Sequence, residues 1–208
     1  MALAAPATGR SPRRWVGLGL LALLAILLVW VLSQINTVPR LQEAVRAAWA
    51  EVENTYQRRA DLIPNLVETV RGFAAQEKDV LTAVVEARAK ATQAAPPADL
   101  AGDPAALAAW EESQAALGQA LARLLVVVEA YPELKSSENF LALQAQLEGT
   151  ENRIAVARRD FIAAVQDYNT AIRTFPGLLW ALVYGAQPMA TFAAQPGAAA
   201  APKVDLTQ

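Results

Sequence analysis

YQRRADLIPNLVETV, residues 56–70, places Pro64 inside an otherwise strong helical pattern, just after Arg58, Arg59 and Asp61. Apolar residues run out of this stretch in both directions at alternating steps of four and three. They are Val45, Trp49, Val52, Tyr56, Ile63, Leu66, Val70, Phe73, Val80, Val84 and Ala87, with Arg59 and Glu77 as polar exceptions. Such a seam predicts one long helix that packs on partners in a left-handed supercoil. Pro64 has no N–H to give, and its ring presses on the carbonyl of Ala60, so a bend is expected there. Arg58, Arg59 or Asn65 are the candidates to satisfy the freed carbonyls.

The helix fades near Ala91, and Ala94-Ala95-Pro96-Pro97 followed by Gly102 marks a loop. Asp103-Pro104 restarts a helix, with aspartate as N-cap and proline in the first helical position. Its seam reads Leu107, Trp110, Gln114, Leu117, Leu121, Leu124, Val128 and Tyr131, and Pro132 ends it. Ser136 or Ser137 caps a third helix, with Glu138 in its first turn. The seam of that helix runs Phe140, Leu143, Leu147, Thr150, Ile154, Ala157, Phe161, Val165, Tyr168, Ile172 and Phe175, up to Pro176-Gly177.

Before all of this stands an uncharged apolar run over 15–32, bracketed by Trp15 and Trp30. At roughly 27 Å as a helix it matches the core of a bilayer. The mostly polar Ser33-Gln34-Ile35-Asn36 follows it without a small-x-small cleavage pattern, so an anchor is favoured over a signal peptide. Arg10, Arg13 and Arg14 precede the run, and only Arg40 and Arg46 closely follow it. Counting positive charges puts the N-terminus in the cytoplasm and the domain on the extracytoplasmic side.

The expected fold is all-α: a single N-terminal transmembrane helix, then a long antiparallel up-down three-helix bundle, coiled-coil-like, with an apolar C-terminal segment. The parts are an N-terminal flank at 1–14, an anchor at 15–32, a linker at 33–39 and a bundle at 40–192. Within the bundle, helices are expected at about 40–94, 104–131 and 137–175, with a short apolar segment at 178–192. Residues 193–208, rich in Ala and Pro, read as a disordered tail. A first helix of 55 residues would run on the order of 80 Å, and the second returns about half that distance. The turn at 131–137 would then lie beside Pro64, with the third helix running outward again. That arrangement leaves Leu41, Val45, Trp49, Val52 and Tyr56 without partners in their own chain. They are the candidates for self-association, and a homo-oligomer is expected. The segment at 178–184 is too short to span a bilayer; it docks on the bundle, joins an oligomer or lies on a membrane surface.

Composition limits the chemistry. The 208 residues include no cysteine and no histidine. Thiolate and histidine metal sites, disulfides and Ser-His-Asp catalysis are therefore excluded. The net charge of −2 gives no footprint for nucleic acid. Glu148, Glu151, Asn152, Arg153, Arg158 and Arg159 form the densest charged group, and the length-based alignment brings Glu77 near Glu148 and Glu151. Clustered carboxylates can hold a hard cation, but a salt-bridged network with the arginines explains the same residues more simply. Arg59, Glu77, Gln114 and Thr150 read as polar residues that set register in a heptad core. No catalytic, metal or cofactor residues are assigned.

AAWAEVENTYQRRADLIPNLVETVRGFAAQEKDVLTAVVEAR at 47–88 and VEAYPELKSSENFLALQAQLEGTENRIAVARRDFIAAVQDYNTAIRTFP at 128–176 resemble the LemA family of bacterial membrane proteins, and the tail to Phe192 does so more weakly. The sequence departs from the family pattern at Ile35-Asn36, where Tyr-Asn is usual, and at Asp160-Phe161-Ile162. The resemblance implies an N-terminal membrane helix, a helical-bundle domain, a place in the bacterial inner membrane and no accepted catalytic residues. Related proteins in magnetosome-forming bacteria imply membrane organisation. The expectation is a non-enzymatic, membrane-anchored, self-associating scaffold that organises or remodels the bilayer. The alternative is an adaptor for a signalling or proteolytic membrane protein.

Overall fold

The computed structural model describes residues 12–97 and 103–192. Among these residues every regular element is helical. The expected disordered tail at 193–208 and most of the N-terminal flank lie outside the described residues.

Helix α1, Pro12–Ser33, carries the apolar run and is long and apolar enough to cross a membrane. A short turn at 34–36, held by Ile35 N–H on Leu32 O and Thr37 N–H on Gln34 O, leads into α2, Thr37–Phe73. The helix expected over 40–94 is in fact two. The chain leaves helical geometry over 74–77 and reverses into α3, Lys78–Gln93. Pro64 lies within α2 and does not end it. The reversal occurs ten residues later, where Ala74 is fully buried. Phe73, expected in the seam, is exposed, and the buried series runs from Val70 and Ala74 to Leu81 and Val84.

Helix α4, Pro104–Val128, begins as its sequence dictates: Asp103 Oδ1 accepts from Ala106 N–H at 2.8 Å, with Pro104 next in the chain. It ends three residues before Tyr131 and is followed by a single helical turn, α5, Pro132–Lys135. Helix α6, Glu138–Ala171, then runs the full length of the body antiparallel to α2. Ser137 is at its N-cap position, although its hydroxyl makes no capping bond. Four helices rather than three therefore form the body.

The turn at 131–137 correspondingly caps the far end of the body and does not sit beside Pro64. Tyr131 Oη donates to Glu77 Oε1 at 2.8 Å and accepts from Gln76 Nε2 at 2.9 Å, tying the α4–α5 turn to the α2–α3 turn. The bond to Glu77, and secondarily burial, hold the Tyr131 phenol above its ordinary range. Its pKa is raised on folding, so this contribution to stability is complete below pH ~10, the unfolded value, and disappears as pH rises through the folded one. Tyr131→Phe is therefore expected to blunt the loss of thermal stability above pH ~10, as read by circular dichroism melts across pH.

Two apolar clusters fill the body. The cluster nearer α1 contains Val45, Trp49, Val52, Tyr56, Ile154, Phe161, Val165 and Tyr168; the far one contains Ile63, Leu66, Val70, Leu81, Leu117, Leu124, Leu134 and Phe140. The expectation that Val45, Trp49, Val52 and Tyr56 lack partners in their own chain is overturned: all four are buried, Val45 and Val52 completely, and Leu41 packs against them half-buried. The reason is direction. α6 returns toward the α1 end of the body instead of leaving it, so its second half covers the seam of α2.

Beyond the reach of α3 and α4, the C-terminal residues complete that cover. Helix α7, Gly177–Tyr184, ends at Gly185 in the left-handed region (φ +63°), with Ala186 N–H bonded to Ala181 O. The chain then runs back along α6. The Asn169 side-chain amide exchanges two hydrogen bonds of 2.9 Å with the backbone of Met189, and Tyr168 Oη donates to Gln187 O. Phe192 enters the core against Trp49 and Phe161. Gly177 makes the sharp turn from α6 to α7 feasible: a Cβ there would lie 2.2 Å from the backbone oxygen of Ala171. Gly177→Ala is expected to cost about 1–3 kcal/mol and to loosen α7, a change that denaturation and protease sensitivity at 177–192 both report.

Candidate functional site

A polar layer separates the two apolar clusters, and Arg59 is its centre. Arg59 is 4% exposed, placed by the α2 seam where an apolar residue is expected. Nη2 donates to Gln114 O at 3.1 Å and to Gln114 Oε1 at 2.9 Å, and Nη1 donates to Glu151 Oε1 at 3.2 Å. Nε has no partner, and the guanidinium lies 4.8 Å from the centre of the Tyr56 ring. Gln114 uses its amide nitrogen on Ala91 O, at 3.1 Å. One guanidinium and one amide thus link α2, α3, α4 and α6. Buried polar groups of this kind need such partners.

Nearer α1, Arg158 of α6 donates to Tyr56 Oη at 3.1 Å and to Glu111 Oε1 at 2.9 Å. Its guanidinium also stacks 3.9 Å over the centre of the Phe192 ring. Arg158 therefore joins α2, α4, α6 and the segment that follows α7.

Pro64 acts on the same layer. The carbonyl of Ala60, deprived of its partner four residues on, accepts instead from Arg88 Nε of α3 at 2.7 Å. None of Arg58, Arg59 or Asn65 meets it. Nothing in the sequence near Arg88 marks it for this task; only the fold-back of α3 brings it there. Pro64→Ala restores an N–H able to serve Ala60 O, so the cost of losing Arg88 should depend on Pro64. Arg88→Ala is expected to cost about 1.5–3 kcal/mol, as for a hydrogen bond to a charged group, and under half of that in a Pro64→Ala background. A double-mutant cycle by chemical denaturation reads the difference, and equal costs in both backgrounds would refute the coupling.

The remaining sequence candidates are dispersed. Glu77 belongs to the far cap, remote from Glu151 at mid-body, so the expected approach of Glu77 to Glu148 and Glu151 does not occur. Glu148 is exposed and accepts from Gln144; Asp61 is exposed and accepts from Gln57. Arg58, Asn65, Asn152 and Arg153 are on solvated faces. Among the described residues no group of three or more carboxylates is placed to hold a metal ion. Thr150, read as a register residue, is buried and spends its hydroxyl on Gln146 O within α6. An open groove of about 340 Å³ runs past the layer, lined by Glu53, Asn54, Gln57, Thr92, Trp110 and Gln114 among others.

An apolar helix of membrane-crossing length, followed by a helical body pinned by internal arginines, defines a class of helical-bundle proteins with a candidate membrane anchor. A sequence profile of the LemA family matches residues 48–206, and the chain belongs to that family. It is 27% identical over 205 residues to Magnetosome protein MamQ of Magnetospirillum gryphiswaldense, covering 90% of this chain and 75% of that one. It is 28% identical over 171 residues to Magnetosome proteins MamQ 1 and MamQ 2 of Paramagnetospirillum magneticum, covering 74% of this chain and 63% of each relative. The chain thus spans less than two thirds of the length of the latter two.

Proposed function

We propose that the chain is a non-enzymatic, membrane-anchored scaffold that holds a stiff helical body against the bilayer and organises or remodels it. The observation that carries this reading is the use of the buried and half-buried cations. Arg59, Arg88 and Arg158 each bond to other helices, which is how a body is made rigid rather than reactive. The similarity to proteins named for the magnetosome supports a setting at a membrane. α1 is the anchor, and the excess of arginine ahead of its apolar run supports a body on the extracytoplasmic side; a periplasm-active reporter fused to the C-terminus tests that side. Self-association through residues 41–56 forms no part of the reading, because those side chains fill the core of their own chain.

Reconstitution of the full chain into liposomes tests the scaffold. Tubules or a narrowed vesicle size at high protein density are the expected result, by electron cryo-microscopy. Liposomes that keep their shape at every density would contradict it. The groove beside the polar layer favours a second reading, an adaptor for another membrane protein. One foreign protein retained in fixed stoichiometry after gentle solubilisation, and lost on Gln57→Arg at the groove edge, would support the adaptor.

A further inference from the structure

We propose that α7 is a second membrane contact, lying in the interface of the bilayer that α1 crosses. Gly177 and Ala181 are turned into the core, one helical turn apart. The opposite face carries Leu178, Leu179, Leu182 and Val183, all exposed, the last two at 76% and 71%. Large apolar side chains gathered this way call for a cover.

Position identifies the cover. The Phe175 ring, just before α7, lies 6.0 Å from the ring of Trp30 in α1. Trp30 is three residues before the end of that helix, ~4.5 Å inside it along the axis, at the depth where tryptophan meets the headgroups. At its other end α7 is tied to the exit of α1 by Tyr184 Oη donating to Ile35 O at 3.3 Å. The exposed face is therefore at the level where the span ends.

Charge agrees with this placement. The two stretches that form the base of the body, 34–42 and 172–192, contain Arg40 and Arg173 and no carboxylate. Both arginines are exposed, as suits a surface of anionic lipid. An apolar face laid flat among headgroups, with cations beside it, is the geometry of an interfacial helix. Here it occupies one leaflet next to a span, and would fix the tilt of the whole body.

The chain has no cysteine, so single spin labels can be placed at will. Leu182→Cys on α7 and Val126→Cys on the exposed far part of α4 are labelled in the full chain in liposomes containing anionic lipid. Collision with oxygen and with a water-soluble nickel chelate is then measured. At position 182 the oxygen-to-nickel ratio is expected to exceed that at position 126 several-fold. A ratio equal to that at 126 would mean α7 faces water, and low collision with both reagents would mean a protein covers it; either overturns the proposal. Val183→Cys, equally exposed, gives the same reading should the first variant fold poorly. Vesicle shape does not enter this measurement, so it stands apart from the test of the scaffold.

Discussion

Trp49→Ala is expected to destabilise the body by about 3–5 kcal/mol, the range for removing a large buried aromatic side chain. Trp49 is 6% exposed, and its ring lies 5.2 Å from that of Trp110, 5.1 Å from Phe161 and 5.9 Å from Phe192, centre to centre. These neighbours come from α4, α6 and the segment after α7, so one truncation opens a space that three segments would have to close. Aromatic pairs add to simple area burial, which places the effect toward the upper part of the range. Chemical denaturation of the detergent-solubilised chain measures it. The loss should not vary with protein concentration, because every partner of Trp49 belongs to the same molecule. A cost below about 1 kcal/mol, or one that grows on dilution, would mean that the indole is covered by something else.

Arg59→Ala is expected to cost about 3 kcal/mol, at the lower end for breaking a buried ion pair. The Glu151 side chain is 46% exposed, and when Arg59 is removed it can return to water. Gln114 cannot, since it is buried with its carbonyl oxygen and its side-chain oxygen both turned to the guanidinium. The penalty thus comes chiefly from an unsatisfied Gln114 and from the emptied volume beside Tyr56. Arg59→Lys should recover little, because an ammonium cannot reproduce the planar fork that spans Gln114 and Glu151. Arg59→Met should recover only the packing share of the loss, since the stem refills the volume but gives Gln114 no donor. The same denaturation experiment ranks the three variants. A lysine variant as stable as the parent would show that charge alone, and not the fork, holds the layer.

The identity of the helical faces could be read from the residues. Val45, Trp49, Val52, Ile63, Leu117, Leu124, Leu147, Ile154 and Phe161 are all buried as their spacing requires, and Asp103-Pro104 starts a helix by the capping chemistry it advertises. Arg59 and Gln114 stand out because each interrupts a seam, and they meet in one layer. Chain direction was not legible. The reversal over 74–77 contains no proline and no glycine, and the three-four spacing from Val70 to Val84 continues across it as though the helix were unbroken. Periodicity records which face is apolar and not whether the axis has folded back. That single reversal changed the rest: it sent α6 back toward α1, covered Trp49, carried Arg88 to Ala60 and separated Glu77 from Glu151. Glu77 interrupts its seam because it lies at a helix end, bonded to Tyr131, and does not set a register.

The course of α6 can be measured directly with two spin labels on one chain. Glu51→Cys on α2 and Asp160→Cys on α6 are both at exposed positions near the level where Trp49 meets Phe161. The labelled full-length chain is diluted with unlabelled chain in liposomes, and the distance is read by pulsed dipolar spectroscopy. The account predicts a single short distance, that of neighbouring helices with axes about 10 Å apart plus the label arms, unchanged by dilution. A third helix that ran outward from beside Pro64 would separate the same labels by roughly 55 Å. That long distance, or a short one that vanishes as labelled chains are diluted, would contradict a body completed within one chain.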